Sequence, residues 1–256
     1  MDRRPLFVGA LVAALLGSGV GPAATPAFAS HSTAARLPDL VMLPPGDFRI
    51  EQKGRGKRWL RFSTVIVNVG PGAFQVYGYP AQTSNGDPYG VVQQVEEADG
   101  TFSNHPTDAT IFWSGDGHNH YHVRDLQEMT LQNLNAVVLA RGAKRGFCFW
   151  DNYDYEATSG VYYHPSTTDA CELTGGGTIP MGLSVGWGDR YPYNIAFQYI
   201  DISQLGNGDY LVEVTADPAL TPGGLFVEAD ELNNTAWAKI RIKRKTVTVL
   251  EVSPLP

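Results

Sequence analysis

The stretch Trp59-Leu60-Arg61-Phe62-Ser63-Thr64-Val65-Ile66-Val67-Asn68-Val69 runs straight into Gly70-Pro71-Gly72. Long apolar side chains alternate with polar ones, so one face can be buried while the other stays wet, which is the period-two pattern of a strand. Gly-Pro-Gly then breaks it. Residues 195–202, 210–216, 236–242 and 247–252 repeat the pattern, and Asn207-Gly208 supplies a turn signal between two of them. No run sustains a 3.6-residue period over three turns. With 28 Gly and 17 Pro, the reading is all-β: a loop-rich β-sandwich in a single domain. Residues 78–108 and 151–186 read as long irregular loops, and loops of that length usually carry function.

The N-terminus has Arg3 and Arg4, an apolar stretch over residues 6–16, and Ala27-Phe28-Ala29 as a small-residue cleavage site. Residues 1–29 therefore read as a signal peptide. Its apolar core is too short to span a membrane. The arginine pair fits twin-arginine export as well as an ordinary positive leader. The remaining 30–256 suit one domain, with no later segment apolar enough for a membrane span. The protein is expected to be secreted. Losing Arg3, Arg4 and Asp2 takes the formal charge from -7 to -8. An acidic surface without a basic cluster argues against nucleic acid and favours cationic partners. In an oxidising compartment Cys148 and Cys171, the only two cysteines, are expected as a disulfide.

Half of the chain's six histidines stand in His118-Asn119-His120-Tyr121-His122. On a strand, alternate residues share a face, so His118, His120 and His122 would present three imidazoles together. Such a set suits copper, zinc, iron or nickel. With no thiolate near, it leans away from a closed structural zinc site and towards an open coordination position.

The residues around this motif resemble the lysyl oxidase family, copper amine oxidases with a lysine tyrosylquinone cofactor. The family's H-x-H-Y-H is matched by His118 to His122. A lysine before Phe-Cys is matched by Lys144-Arg145-Gly146-Phe147-Cys148. Asp-x-Tyr and aromatic-Ile-Asp-Ile are matched by Asp189-Arg190-Tyr191 and Tyr199-Ile200-Asp201-Ile202. Leu37-Pro38-Asp39-Leu40-Val41 and Glu228-Ala229-Asp230-Glu231-Leu232-Asn233-Asn234 complete the order. The resemblance implies copper on the three histidines and a Lys144–Tyr191 cross-link as the quinone. It also implies oxidation of a primary amine or peptidyl-lysine by dioxygen to an aldehyde, hydrogen peroxide and ammonia. Burial would favour the neutral lysine that such a cross-link needs. A general base is required, with Asp125, Asp189 and Asp201 as candidates near the motifs.

Glu228, Asp230, Asn233 and Asn234 form an oxygen-rich cluster, and hard oxygen donors suit calcium. Some members of the family add the aspartate and leucine of the upstream motif, here Asp39 and Leu40. Animal members carry many cysteines and a histidine before the cofactor lysine, where this chain has Ala143. The export segment has a bacterial character, which points to lysines of exported proteins or small amines rather than collagen or elastin. Two other classes compete. A non-catalytic copper-binding β-sandwich has no use for Lys144 and Tyr191, and an Ig-like interaction module leaves the histidines unexplained.

Overall fold

Strands and turns account for the residues that the computed structural model describes, which are 34–115, 119–157, 163, 169–218 and 224–256. The expected signal peptide, residues 1–29, lies outside them. In chain order the strands are β1 (Leu40–Met42), β2 (Gly46–Gln52), β3 (Arg58–Asn68), β4 (Phe74–Pro80), β5 (Tyr89–Glu96), β6 (Phe102–Trp113), β7 (Tyr121–Arg124), β8 (Gln127–Gln132) and β9 (Val138–Arg141). There follow β10 (Gly146–Phe147), β11 (Tyr153–Asp154), β12 (Ile179–Leu183), β13 (Trp187–Tyr191), β14 (Tyr199–Asp201), β15 (Gly208–Ala216), β16 (Thr235–Lys243) and β17 (Thr246–Val252). The chain is an all-β single domain. Among the described residues, no helix is long and apolar enough to cross a membrane.

Three antiparallel sheets form. The first follows β1-β3-β13-β11, with β2 and β14 also on β3; the second follows β10-β7-β6-β5-β4-β12; the third follows β17-β16-β15-β8-β9. The alternating stretch that opens the sequence reading becomes β3, the hub of the first sheet. Its Leu60, Phe62 and Ile66 are buried in the main core, which also takes Phe74, Val76 and Ile111 from the second sheet and Val212, Val214 and Ile240 from the third. Burying one face of each sheet against the others is what makes three half-polar sheets stable.

Two sequence expectations need correction. Neither residues 78–108 nor residues 151–186 form one irregular loop, because β5 and much of β6 lie in the first and β11 and β12 in the second. Buried Gln93 hides the pattern: its amide donates to Val227 O at 2.9 Å and accepts from Val227 N at 2.8 Å, so a polar residue fills a core position with its hydrogen bonds met. Of residues 195–202 only β14 is extended. Phe197 has φ of 58°, a left-handed conformation that ends a strand. Elsewhere the agreement is close, with β15, β16 and β17 falling where the alternation put them.

Candidate functional site

The histidine motif sits at the connection between β6 and β7, and not on one strand. Asn119 has φ of 56°, so the chain turns there, and only Tyr121 and His122 of the pentapeptide are in β7. His118 lies outside the described residues. His120 and His122 nonetheless meet: their ring centroids are 4.8 Å apart with planes at 57°. The meeting is arranged by neighbours. Tyr121 N donates to Cys171 O at 2.9 Å and Ser114 N to His120 O at 3.1 Å. His122 is buried edge-on to Phe112, its partner across the β6–β7 ladder. The Arg124 guanidinium covers the Phe112 ring at 4.2 Å and is itself held at both ends by Asp87, each contact 2.6 Å.

Gly146 explains how the imidazole fits. A Cβ there would stand 2.6 Å from His122 Nδ1 and 2.7 Å from Phe112 Cζ, so a bare backbone is needed for β10 to lie against β7. The Nδ1 side of the His122 ring thus lies against β10.

Lys144 precedes β10 and is buried, 4% exposed. Its Nζ lies 5.0 Å from the centroid of the Tyr191 ring and 5.2 Å from that of Phe147. Tyr191 ends β13, where β3 pairs with it through Thr64. Its hydroxyl donates a short hydrogen bond to Cys148 O. Burial raises the Tyr191 hydroxyl well above its ordinary pKa, and the charge of Asp189 adds to this. Cys148 and Cys171 form the expected disulfide, Cα atoms 5.8 Å apart, which fastens the segment after Lys144 beside the histidines. Thus residues 47 positions apart in sequence, Lys144 and Tyr191, are brought face to face.

A cavity of about 370 Å³ opens against this group, lined among others by His120, His122, Trp150, Asp189 and Tyr191. Asp189 is 1% exposed. Its Oδ1 accepts a short hydrogen bond from Asn152 Nδ2, and its Oδ2 is buried without a hydrogen-bond partner among the described residues. Burial pushes its carboxyl up to about 7, and the Tyr191 hydroxyl, then Asn152 and the Lys144 cation, restrain the rise. The other aspartates lie apart: Asp125 pairs with Arg145 at 3.4 Å, and exposed Asp201 caps Ser203. Asn152, Trp150 and Gly146 escaped the sequence reading, since nothing in their local pattern marks them.

The oxygen cluster joins the N-terminal strand to the C-terminal region. Leu40 N donates a short hydrogen bond to Glu228, Asn234 Nδ2 donates to Glu228 Oε1 at 3.0 Å, and Asn233 Nδ2 to Asp39 Oδ1 at 3.0 Å. Asp230 is exposed, and its Oδ1 accepts from Leu232 N at 2.9 Å. Two residues missed from sequence complete the group. Carboxylate oxygens of Asp217, Glu228 and Glu231 all lie within 4.8 Å of one another. Glu231 was in plain view between Asp230 and Leu232, whereas Asp217 arrives by the fold alone. Burial drives Glu228 up to about 9 and Asp217 up to about 6, and each is raised further by neighbouring carboxylates. The Asn233 and Asn234 side-chain oxygens are buried without hydrogen-bond partners among the described residues. Crowded carboxylates and orphaned carbonyl oxygens fit a hard cation.

Fold and site define an all-β domain with histidine, lysine and tyrosine gathered at the meeting of two sheets. The pattern of the lysyl oxidase family matches residues 92–252. The chain is 28% identical over 187 residues to lysyl oxidase homolog 2A of Danio rerio, covering 72% of this chain and 19% of that protein. It is 32% identical over 127 residues to lysyl oxidase homolog 2 of Gallus gallus, covering 49% and 14%. It is 31% identical over 118 residues to lysyl oxidase homolog 3A of Danio rerio, covering 46% and 14%. The chain belongs to the lysyl oxidase family, a family of copper amine oxidases. The alignments span less than a fifth of the length of these relatives.

Proposed function

We propose that this chain, exported after loss of residues 1–29, is a copper-dependent amine oxidase. Its substrates would be primary amines, either peptidyl-lysine or small amines, and its products aldehydes, hydrogen peroxide and ammonia. One observation carries the reading: Lys144 Nζ stands 5.0 Å from the Tyr191 ring, and Tyr191 lines one cavity with the neighbouring imidazoles of His120 and His122.

His120 and His122, with His118, would hold copper, a metal suited to imidazole. Lys144 and Tyr191 would supply the lysine tyrosylquinone, an electrophile that condenses with amines and accepts two electrons. The protein's own contribution is positional. The disulfide and the Tyr191 hydrogen bond to Cys148 hold the tyrosine against Lys144. Trp150 and Ile195 give the cavity apolar walls that exclude water, and the acidic net charge of the chain draws in cationic amines. Calcium on Asp39, Leu40, Glu228, Asp230, Asn233 and Asn234, with Asp217 and Glu231, would tie the first strand to the β15–β16 region.

The test is protein produced with copper and air, stained for quinone and assayed for peroxide release with a primary amine. Lys144→Ala and Tyr191→Phe should abolish both signals while retaining copper. Stoichiometric copper with no quinone in the wild type would leave a copper-binding β-sandwich instead.

A further inference from the structure

Removing a proton from carbon needs a base that reaches the substrate's reacting end and is not already committed elsewhere. Among the described residues, the titratable groups lining the cavity are His120, His122, Asp189, Arg190 and Tyr191. On the reading above the two imidazoles are engaged by copper and Tyr191 becomes part of the quinone. Arg190 keeps its proton at any ordinary pH. Asp189 remains.

We propose that Asp189 is the general base that takes the proton from the carbon bearing the amine nitrogen. This assignment rests on the amine oxidase reading. In the step the C–H bond would break and its proton pass to Asp189 Oδ2, while the electron pair would pass to the quinone that Lys144 and Tyr191 would supply as two-electron acceptor, leaving the amine carbon at the imine oxidation level. Geometry supports the role on three counts. Asp189 and Tyr191 are two residues apart on β13, so their side chains leave the strand on the same face. Asn152 fixes one carboxylate oxygen and is itself anchored by Arg190 N, which donates to Asn152 Oδ1 at 2.7 Å. The second oxygen is buried with no hydrogen bond of ordinary geometry among the described residues, and the Tyr191 hydroxyl lies near enough to the carboxyl to interact with it, which places that oxygen beside the reacting group. Asp125 and Asp201 lie outside this cavity.

The experiment compares wild type, Asp189→Asn and Asp189→Glu, each matured with copper and air. Copper content and the absorbance of the phenylhydrazine adduct report the metal and the quinone. Anaerobic bleaching of the quinone by benzylamine, followed by stopped flow, reports proton removal. Asp189→Asn should keep copper and the adduct but bleach about 10²-fold or more slowly, the scale of general-base catalysis, and Asp189→Glu should recover part of the rate. Bleaching of Asp189→Asn at the wild-type rate overturns the proposal. If Asp189→Asn makes no quinone, Asn152→Ala decides, because it removes only the anchor: slowed bleaching with intact copper and adduct supports the base, and an unchanged rate overturns it. A wild type without any adduct refutes the amine oxidase reading itself, and this assignment with it.

Discussion

Gly146→Ala probes how the fold holds the metal site. The added methyl would stand 2.6 Å from His122 Nδ1, 2.7 Å from Phe112 Cζ and 2.8 Å from His122 Cβ, where ordinary contact begins near 3.4 Å. Something must move by several tenths of an ångström. Phe112 is pinned beneath Arg124 at 4.2 Å, and β10 is fixed to β7 through Gly146–Arg124 and Phe147–Val123. His122 is the group that yields. Overpacking of this kind costs about 1–3 kcal/mol. If that strain falls on the copper-bound geometry, affinity should drop roughly 10- to 100-fold, as it does when the supports of a metal ligand are disturbed. Copper titration against a competing chelator measures this, with melting of the metal-free protein run alongside. Unchanged affinity and an unchanged melting temperature would refute the claim that Gly146 sets the His122 position.

The disulfide closes a sequence separation of 23. The chain-entropy relation then gives about 3 kcal/mol at 25 °C, or roughly 6–12 °C in melting temperature. Replacing both cysteines by alanine should cost that much in a thermal melt, and a loss under 1 °C would place the constraint elsewhere. In metal-free protein Glu228 ionises near 9 in the fold against 4.5 when exposed, and Asp217 near 6 against 3.8. The folded state thus holds extra protons on these two groups, so the stability they contribute is fully present at acid pH and is lost as pH rises towards about 9. Glu228→Gln should flatten this slope, and a chelated protein whose melting temperature climbs over that range would contradict the assignment. Calcium added to chelated protein should raise the melting temperature, by the equivalent of about 2.7 kcal/mol at a hundredfold excess over its dissociation constant. Asp217→Asn and Asp230→Ala should weaken the response. A melting curve indifferent to calcium removes the calcium site.

Legibility followed chemistry. Strands with one apolar face announced themselves, so β3 and β15 to β17 could be placed from alternation alone. β5 could not, because Gln93 buries an amide whose hydrogen bonds are met by Val227, and a satisfied polar core residue looks like a surface one. The histidine motif was legible as a metal site but misleading as a strand, since the left-handed Asn119 leaves no trace in spacing. The Lys144–Tyr191 encounter is long-range. No periodicity predicts it, and only the order of family motifs named the pair. Asp189 was one of three aspartates until burial and the cavity separated it from Asp125 and Asp201. Asp217 reaches Glu228 and Glu231 by tertiary structure alone, with no local signal to give it away.

The central claim is that Lys144 and Tyr191 become one cofactor. Peptide mapping by mass spectrometry of protein matured with copper and air, compared with protein made without copper, tests it most directly. A peptide joining the Lys144 and Tyr191 segments only in the copper-matured sample is the expected result. Unmodified Lys144 and Tyr191 peptides in copper-replete, aerated protein that still oxidises amines would contradict the account.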